Sequence, residues 1–252
     1  MNKKTHRIYL SPANHYKQYA VAGFTEKEQM DKLAVLLVKE LEKYEGAEPV
    51  LTNIYDIDRS YTGRPEEAQR LNCDIYVALH SNGGGGKGAC VFYHPKFELS
   101  KKLALSMVKE LNAICPIKSN RAVQPAIYPW SYNEWNFGEL REPAGNGIAP
   151  VLIEHEFHDT VEGATWLIQN IKQIAKADAT AIANALNLKR KPMLGDINGD
   201  GEVNSLDAVA ILRCDAGIVQ LDETQKATAD INGDGKVNSL DAVAILKMDA
   251  LK

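Results

Sequence analysis

The chain is 252 residues long, 45% hydrophobic and 25% charged, with a formal net charge of −4 at pH 7, the make-up of a packed globular protein with one sizeable domain and a small one. From Leu194 onward 11 Asp and Glu stand against 5 Lys and Arg, so the net negative charge lies in the tail, and the body before it holds 22 acidic and 24 basic residues. No arginine-rich stripe interleaved with aromatics is present, which argues against nucleic acid as a partner, and no apolar run approaches the ~18 residues needed to span a bilayer.

In chain order, Arg7 to Leu10 predicts a first strand, followed by the polar loop PANHYKQYAVAGF. A helix is expected from near Glu26, because Met30, Leu33, Leu37 and Leu41 recur on one face at 3.6-residue spacing. Pro49 to Ile54 reads as a second strand, Pro65 to Leu71 as a short helix, CDIYVALH as a buried third strand and GACVFYH as a fourth. Leu99 to Ile114 is helical by its Leu103, Met107 and Leu111 stripe, APVLIEH is a further strand, and Val161 to Leu186 holds the closing helices. Such alternation predicts an α/β fold, a mostly parallel twisted sheet flanked by helices. A change of composition at LKRKPML separates this body, residues 1–190, from a small all-α domain at 194–252. Cys73, Cys90, Cys115 and Cys214 lack C-x-x-C spacing and read as free thiols. The opening MNKKTHRIYLSP reaches Pro12 without an apolar stretch, so no signal peptide is expected.

Two strand ends carry polar residues: YVALHSN ends in His80, and PVLIEHEF carries Glu154. Both belong at the carboxyl edge of the sheet, where open α/β sheets build their sites. His15 lies in the loop after the first strand, and Glu28 in the first turn of the helix that follows. Two His and a Glu form a zinc set with an open position for water, and a second carboxylate can take that water's proton. Glu26 competes with Glu28 for the ligand place, and Thr25 to Glu28 also reads as a capping box. His94, His155, Glu156 and His158 read as surface residues or residues behind the ligands, structural rather than ligating.

Residues from about 6 to 188 resemble the zinc-dependent N-acetylmuramoyl-L-alanine amidases of the third type, including endolysins. The resemblance rests on LSPANH, EKEQMDKLA, VALHSN and VLIEHEF, with GRPEEAQRLNCDIYVALHSN and ELREPAGNGIAPVLIE leading into the last two. It implies one catalytic zinc held by His15, Glu28 and His80, with Glu154 as general base and acid, and peptidoglycan as substrate. The usual glycine-rich loop is replaced by SPANHYK, and Glu156 stands where the family has glycine. Within YPWSYNEWNFGELREPAGN, Trp130 and Trp135 are candidates for a substrate platform and Arg141 for a stem-peptide carboxylate. An inactive wall-binding or scaffold-docking protein and a zinc peptidase cutting the stem peptide are the rival readings. The expected place of action is the bacterial cell wall, reached by lysis or export.

The tail repeats itself. DINGDGEVNSLDAVAIL at 196–212 returns as DINGDGKVNSLDAVAIL at 230–246. Asp196, Asn198, Asp200, Asn204 and Asp207 fall at positions 1, 3, 5, 9 and 12 of a calcium loop, with Glu202 offering its carbonyl at position 7. Asp230, Asn232, Asp234, Lys236, Asn238 and Asp241 match them in the second copy. Position 12 is Asp, and RKPMLG cannot form an entering helix. Two loop-helix halves of this kind resemble a type I dockerin, which implies two structural calcium ions and a cohesin-bearing scaffold as partner. In that family positions 10 and 11 select the cohesin, here Ser205 and Leu206, then Ser239 and Leu240.

Overall fold

The computed structural model describes residues 5–55, 63–117, 127–129 and 137–251. The chain divides into two compact units, Met1–Lys189 and Arg190–Lys252. Trp130 and Trp135 lie outside the described residues.

The first unit runs β1 (His6–Pro12), α1 (Glu26–Leu41), β2 (Ala47–Leu51), α2 (Gly63–Arg70), β3 (Ile75–Asn82), β4 (Cys90–Tyr93), α3 (Glu98–Ile114), β5 (Ile127–Pro129), α4 (Gly138–Gly145), β6 (Ala149–Phe157), α5 (Val161–Gln169) and α6 (Ile171–Leu186). The strands form one sheet in the order β2-β1-β3-β6-β4-β5. Only the β4 to β6 pairing is antiparallel; the others are parallel. The short β5 is an element that the sequence reading does not contain, and β2 begins two residues earlier than expected. After β2 the chain crosses over β1 to lay β3 on its other side. The carboxyl ends of β1 and β3 therefore flank a crevice of the kind in which open α/β sheets bind ligands.

Alternation along the strands sends one set of side chains to each face. Ile8, Leu10, Ile75, Val77, Leu79, Val151 and Ile153 are buried in the larger core with residues of α1, α3 and α6. Tyr9, Tyr76, Ala78, Cys90, Phe92 and Leu152 face a smaller core completed by Ala68 of α2 and Leu140 of α4. The Tyr9 and Tyr76 rings stack there with centroids 5.2 Å apart.

His155 is completely buried. Its Nε2 lies 2.8 Å from Asp178 of α6, and its Nδ1 lies 2.9 Å from the His80 carbonyl. Burial opposes a charge on this imidazole, but Asp178 outweighs that and raises its pKa. The pair ties the middle of the sheet to α6 directly behind His80.

The second unit holds α7 (Ser205–Asp215), α8 (Glu223–Ala229) and α9 (Ser239–Asp249) around a core of Ile197, Ala208, Ile211, Leu221, Ala229, Ala242 and Ile245. Asn204 and Asn238 cap α7 and α9 in matching capping boxes with Asp207 and Asp241. The two helices also clasp each other. The Ser205 N–H donates to the Asp249 carboxylate at 3.2 Å, and the Ser239 N–H donates to Asp215 at 3.0 Å.

Candidate active site

His80 and Glu154 are direct register partners on the adjacent parallel strands β3 and β6. The pleat therefore points both side chains to the same face at the carboxyl edge of the sheet. The loop after β1 is anchored by the Ala13 N–H on the Leu79 carbonyl at 2.8 Å. It then supplies acceptors to the first turn of α1: Glu26 N–H donates to the Lys17 carbonyl at 2.8 Å, and Lys27 N–H to the His15 carbonyl at 3.0 Å. Those helix-start N–H groups have no partner inside the helix, so satisfying them with loop carbonyls seats His15 beside Glu26. The exposed His15 ring stands 5.7 Å, centroid to centroid, from that of His80.

Glu26 is only 3% exposed. Its Oε1 lies 3.2 Å from Nδ1 of His80 and accepts the Ser81 N–H at 3.1 Å. On the other side of the ring, Nε2 of His80 lies 2.8 Å from Oε2 of Glu139, in the first turn of α4. A cavity of about 730 Å³ opens onto His15, Glu26, Arg64, His80, Glu139 and Glu154, with Lys17, His158 and Asp159 also lining it. The buried Arg64 donates to Ser11 Oγ at 2.9 Å and to the Pro12 carbonyl at 2.5 Å, fixing the end of β1.

The electrostatics follow from this packing. Burial disfavours the His80 cation, but the carboxylates of Glu139 and Glu26 outweigh it and hold the imidazole well above its usual pKa. Burial likewise pushes Glu26 and Glu139 upward, and His80 more than compensates, leaving both below the usual carboxylate range.

The structure corrects the Glu28 expectation. Glu28 is exposed; its N–H donates to Thr25 Oγ1 at 3.3 Å, and that hydroxyl donates to its Oε2 at 2.9 Å. Helical geometry separates residues two apart by about 200°, so only one of Glu26 and Glu28 can face the sheet, and it is Glu26. Arg141 is also placed elsewhere. Its guanidinium is exposed, pairs with Glu142 at 2.5 Å and does not line the cavity. Glu156 is buried, and both its carboxylate oxygens accept the Gly88 N–H, at 2.9 and 2.8 Å. His158 contributes to the cavity wall while its Nδ1 lies 2.8 Å from the Ser81 carbonyl and its ring stacks on Tyr19. Among the described residues, no group of three or more His, Cys, Asp or Glu side chains closes to metal-binding distances; Glu26 and His80 meet, with His15 alongside.

In the second unit the loop carboxylates turn inward onto their own backbone. Asp196 accepts the Gly199 and Gly201 N–H groups at 2.7 and 2.8 Å, and the fully buried Asp207 accepts those of Ile197, Asn198 and Asn204. Asp241 repeats the Asp207 pattern with Ile231, Asn232 and Asn238, and Asp230 accepts the Asp234 and Gly235 N–H groups at 3.1 and 2.9 Å. Gly201 and Gly235, at position 6 of each loop, have φ of +83° and +81°, a conformation that favours glycine. Leu206 and Leu240 are 62% and 63% exposed.

A family profile described as N-acetylmuramoyl-L-alanine amidase matches residues 13–184, and one described as dockerin type I domain matches residues 194–248. A sporulation-specific N-acetylmuramoyl-L-alanine amidase of Bacillus subtilis (strain 168) is 27% identical over 176 residues, 69% of this chain and 64% of that protein's length. The chain thus spans under two thirds of this relative. Among solved structures, the amidase AmiC2 of Nostoc punctiforme aligns with a TM-score of 0.60 at 21% identity, over 72% of this chain and 97% of its own. An N-acetylmuramoyl-L-alanine amidase from Clostridium difficile 630 aligns with a TM-score of 0.61 at 18% identity, over 73% and 98%. These structural likenesses show the fold.

The exchange of Glu28 for Glu26 is testable in metal-free protein. Glu28→Ala removes the side-chain bond from the Thr25 hydroxyl and leaves the backbone cap in place, and should lower the unfolding free energy in urea by about 0.5 kcal/mol. Glu26→Ala removes one of two carboxylates that favour the His80 cation, so the His80 titration followed by NMR should move to lower pH. A titration moved by Glu28→Ala and untouched by Glu26→Ala would return the inward place to Glu28.

Proposed function

The chain belongs to the N-acetylmuramoyl-L-alanine amidase family and carries a type I dockerin domain, and from that premise we propose that it hydrolyses the amide between the lactyl group of N-acetylmuramic acid and L-alanine in peptidoglycan. The observation that carries this reading is the grouping of Glu26, His80 and Glu154 at one sheet edge. Two donors on one tetrahedral zinc at about 2.0–2.1 Å lie about 3.3 Å apart, and Nδ1 of His80 lies 3.2 Å from Oε1 of Glu26. The donor set is also of the right kind, imidazole nitrogen with carboxylate oxygen. His15, Glu26 and His80 would hold the ion, with Glu26 in the place first given to Glu28. When bound, zinc supplies Lewis-acid polarisation of the scissile carbonyl and makes water more acidic.

The protein's own residues do the rest. Glu154, beside His80 in register, takes a proton from the attacking water and returns it to the leaving amine of L-alanine. Glu26 is fixed for its task by the Ser81 N–H, and His80 by its carbonyl's bond to His155. Arg64 keeps the end of β1, and with it the His15 loop, against the sheet.

Digestion of purified cell walls, read by mass spectrometry, tests the activity. Wild-type protein should release stem peptides with a free L-alanine amine and no new reducing ends, and Glu154→Gln should lower the rate by about 10²–10⁴-fold. Cleavage between amino acids would make the protein a peptidase, and the absence of products with zinc supplied would make it a wall-binding protein.

The second unit we read as an address. Two structural calcium ions would take the side chains of Asp196, Asn198, Asp200, Asn204 and Asp207 and of Asp230, Asn232, Asp234, Asn238 and Asp241, with the carbonyls of Glu202 and Lys236. Ser205 and Leu206, and Ser239 and Leu240, would then meet a cohesin on a scaffold protein, in either of two equivalent orientations. The place of action would be the bacterial cell wall. Because calcium binding to such loops is coupled to folding, a chelator should lower the melting temperature of the dockerin transition in full-length protein. Equal melting with and without chelator would contradict the calcium assignment.

A further inference from the structure

Glu139 has no part in the hydrolytic scheme above, yet it is 92% covered and its two oxygens are committed to the site. Oε2 lies 2.8 Å from Nε2 of His80. Oε1 accepts the Ser11 hydroxyl at 2.6 Å, and the Tyr76 hydroxyl lies 3.0 Å from it. Ser11 is itself held by Arg64, so the carboxylate cannot swing away from the ring. Tyr76 belongs to the smaller apolar core with Leu140, Leu152 and Phe92, and a carboxylate buried beside it is costly unless its bonds are complete.

The two nitrogens of an imidazole are not equivalent: the group that holds a proton on one leaves the lone pair of the other free. In His80 the nitrogen facing Glu26 is Nδ1, and the nitrogen facing Glu139 is Nε2. We propose that Glu139 is a positioning residue for the metal centre, keeping the proton on Nε2 of His80 so that Nδ1 presents its lone pair toward Glu26 and His15. This inference rests on the zinc reading of the same site. It gives the buried Ser11, Tyr76 and Arg64 network a purpose, because that network aims the carboxylate that orients the ligand. Outer partners of this kind typically contribute a factor of 10–100 in metal affinity.

The test uses full-length protein stripped of metal and reloaded with zinc. Zinc affinity is measured by competition with a chromogenic chelator for wild type, Glu139→Gln and Tyr76→Phe. The His80 ring is read by long-range ¹H–¹⁵N correlation in histidine-labelled wild type. The expected spectrum has a protonated Nε2 and a metal-shifted Nδ1. Glu139→Gln keeps an acceptor for Ser11 but loses the charge at Nε2, and should weaken zinc binding about 10–100-fold; Tyr76→Phe leaves Oε2 in place and should weaken it less. A merely structural Glu139 would lower the melting temperature of Glu139→Gln and leave its zinc affinity at the wild-type value, which would overturn the inference alone. Metal on Nε2 in the wild-type spectrum would also overturn it, whether or not the variant folds. Wild-type protein that takes up no zinc would overturn the zinc reading and this inference with it.

Discussion

His80 lies between two buried carboxylates, Glu26 against Nδ1 and Glu139 against Nε2. Nothing about a strand end requires this. Burying such groups is expensive in isolation and tolerable only when each supplies the other's missing partner. Each arm of the arrangement comes from a different part of the chain: His80 from the end of β3, Glu26 from the start of α1, Glu139 from the start of α4. The fold brings them together through its crossover at β1 and β3, through loop carbonyls that cap α1, and through the seat of α4 on β6. The cavity they share is lined by four carboxylates, Glu26, Glu139, Glu154 and Asp159, against two permanent cations, Lys17 and Arg64. That balance favours a further positive charge within it.

Much of this was legible in the residues. Strand alternation places His80 and Glu154 on one face, and their position after the apolar runs YVAL and PVLI places both at the carboxyl edge. The choice between Glu26 and Glu28 was legible too, in a signal the motif obscured. Glu26 precedes Met30 by four residues and Leu33 by seven, so it continues the buried stripe of α1, whereas Glu28 lies off that stripe. The T-x-x-E pattern marked Glu28 correctly as a local partner of Thr25. Glu139 carried no such mark. It opens a short helix, its neighbours in sequence are Gly138 and Leu140, and its importance arises from Ser11, Tyr76 and His80, 59 to 128 residues away. Arg64 lies in the stretch GRPEEAQR that carried part of the resemblance, but its task was not readable there, since its partners Ser11 and Pro12 belong to β1.

The two units divide the work by the kind of order they need. The amidase body holds its polar site by long-range bonds between elements, with His155 and Asp178 behind the sheet and Glu156 on the Gly88 N–H. The repeated tail holds its acidic loops by short-range bonds to their own backbone, and its two halves are joined by the matching clasps of Asp215 and Asp249. Its near-perfect repetition was therefore readable position by position, whereas the body's site required the topology. The body presents a concave pocket with a candidate base; the tail presents two alike Ser-Leu corners whose leucines are exposed.

The central claim is that one metal ion belongs between His15, Glu26 and His80, next to Glu154. Anomalous diffraction at the zinc edge from crystals of the zinc-loaded protein tests it most directly. The account predicts a single strong peak in the cavity, within about 2.0–2.2 Å of a donor atom from each of those three residues, with Nδ1 as the His80 donor. A peak coordinated by Glu28, or one placed away from Glu26 and His80, would contradict it.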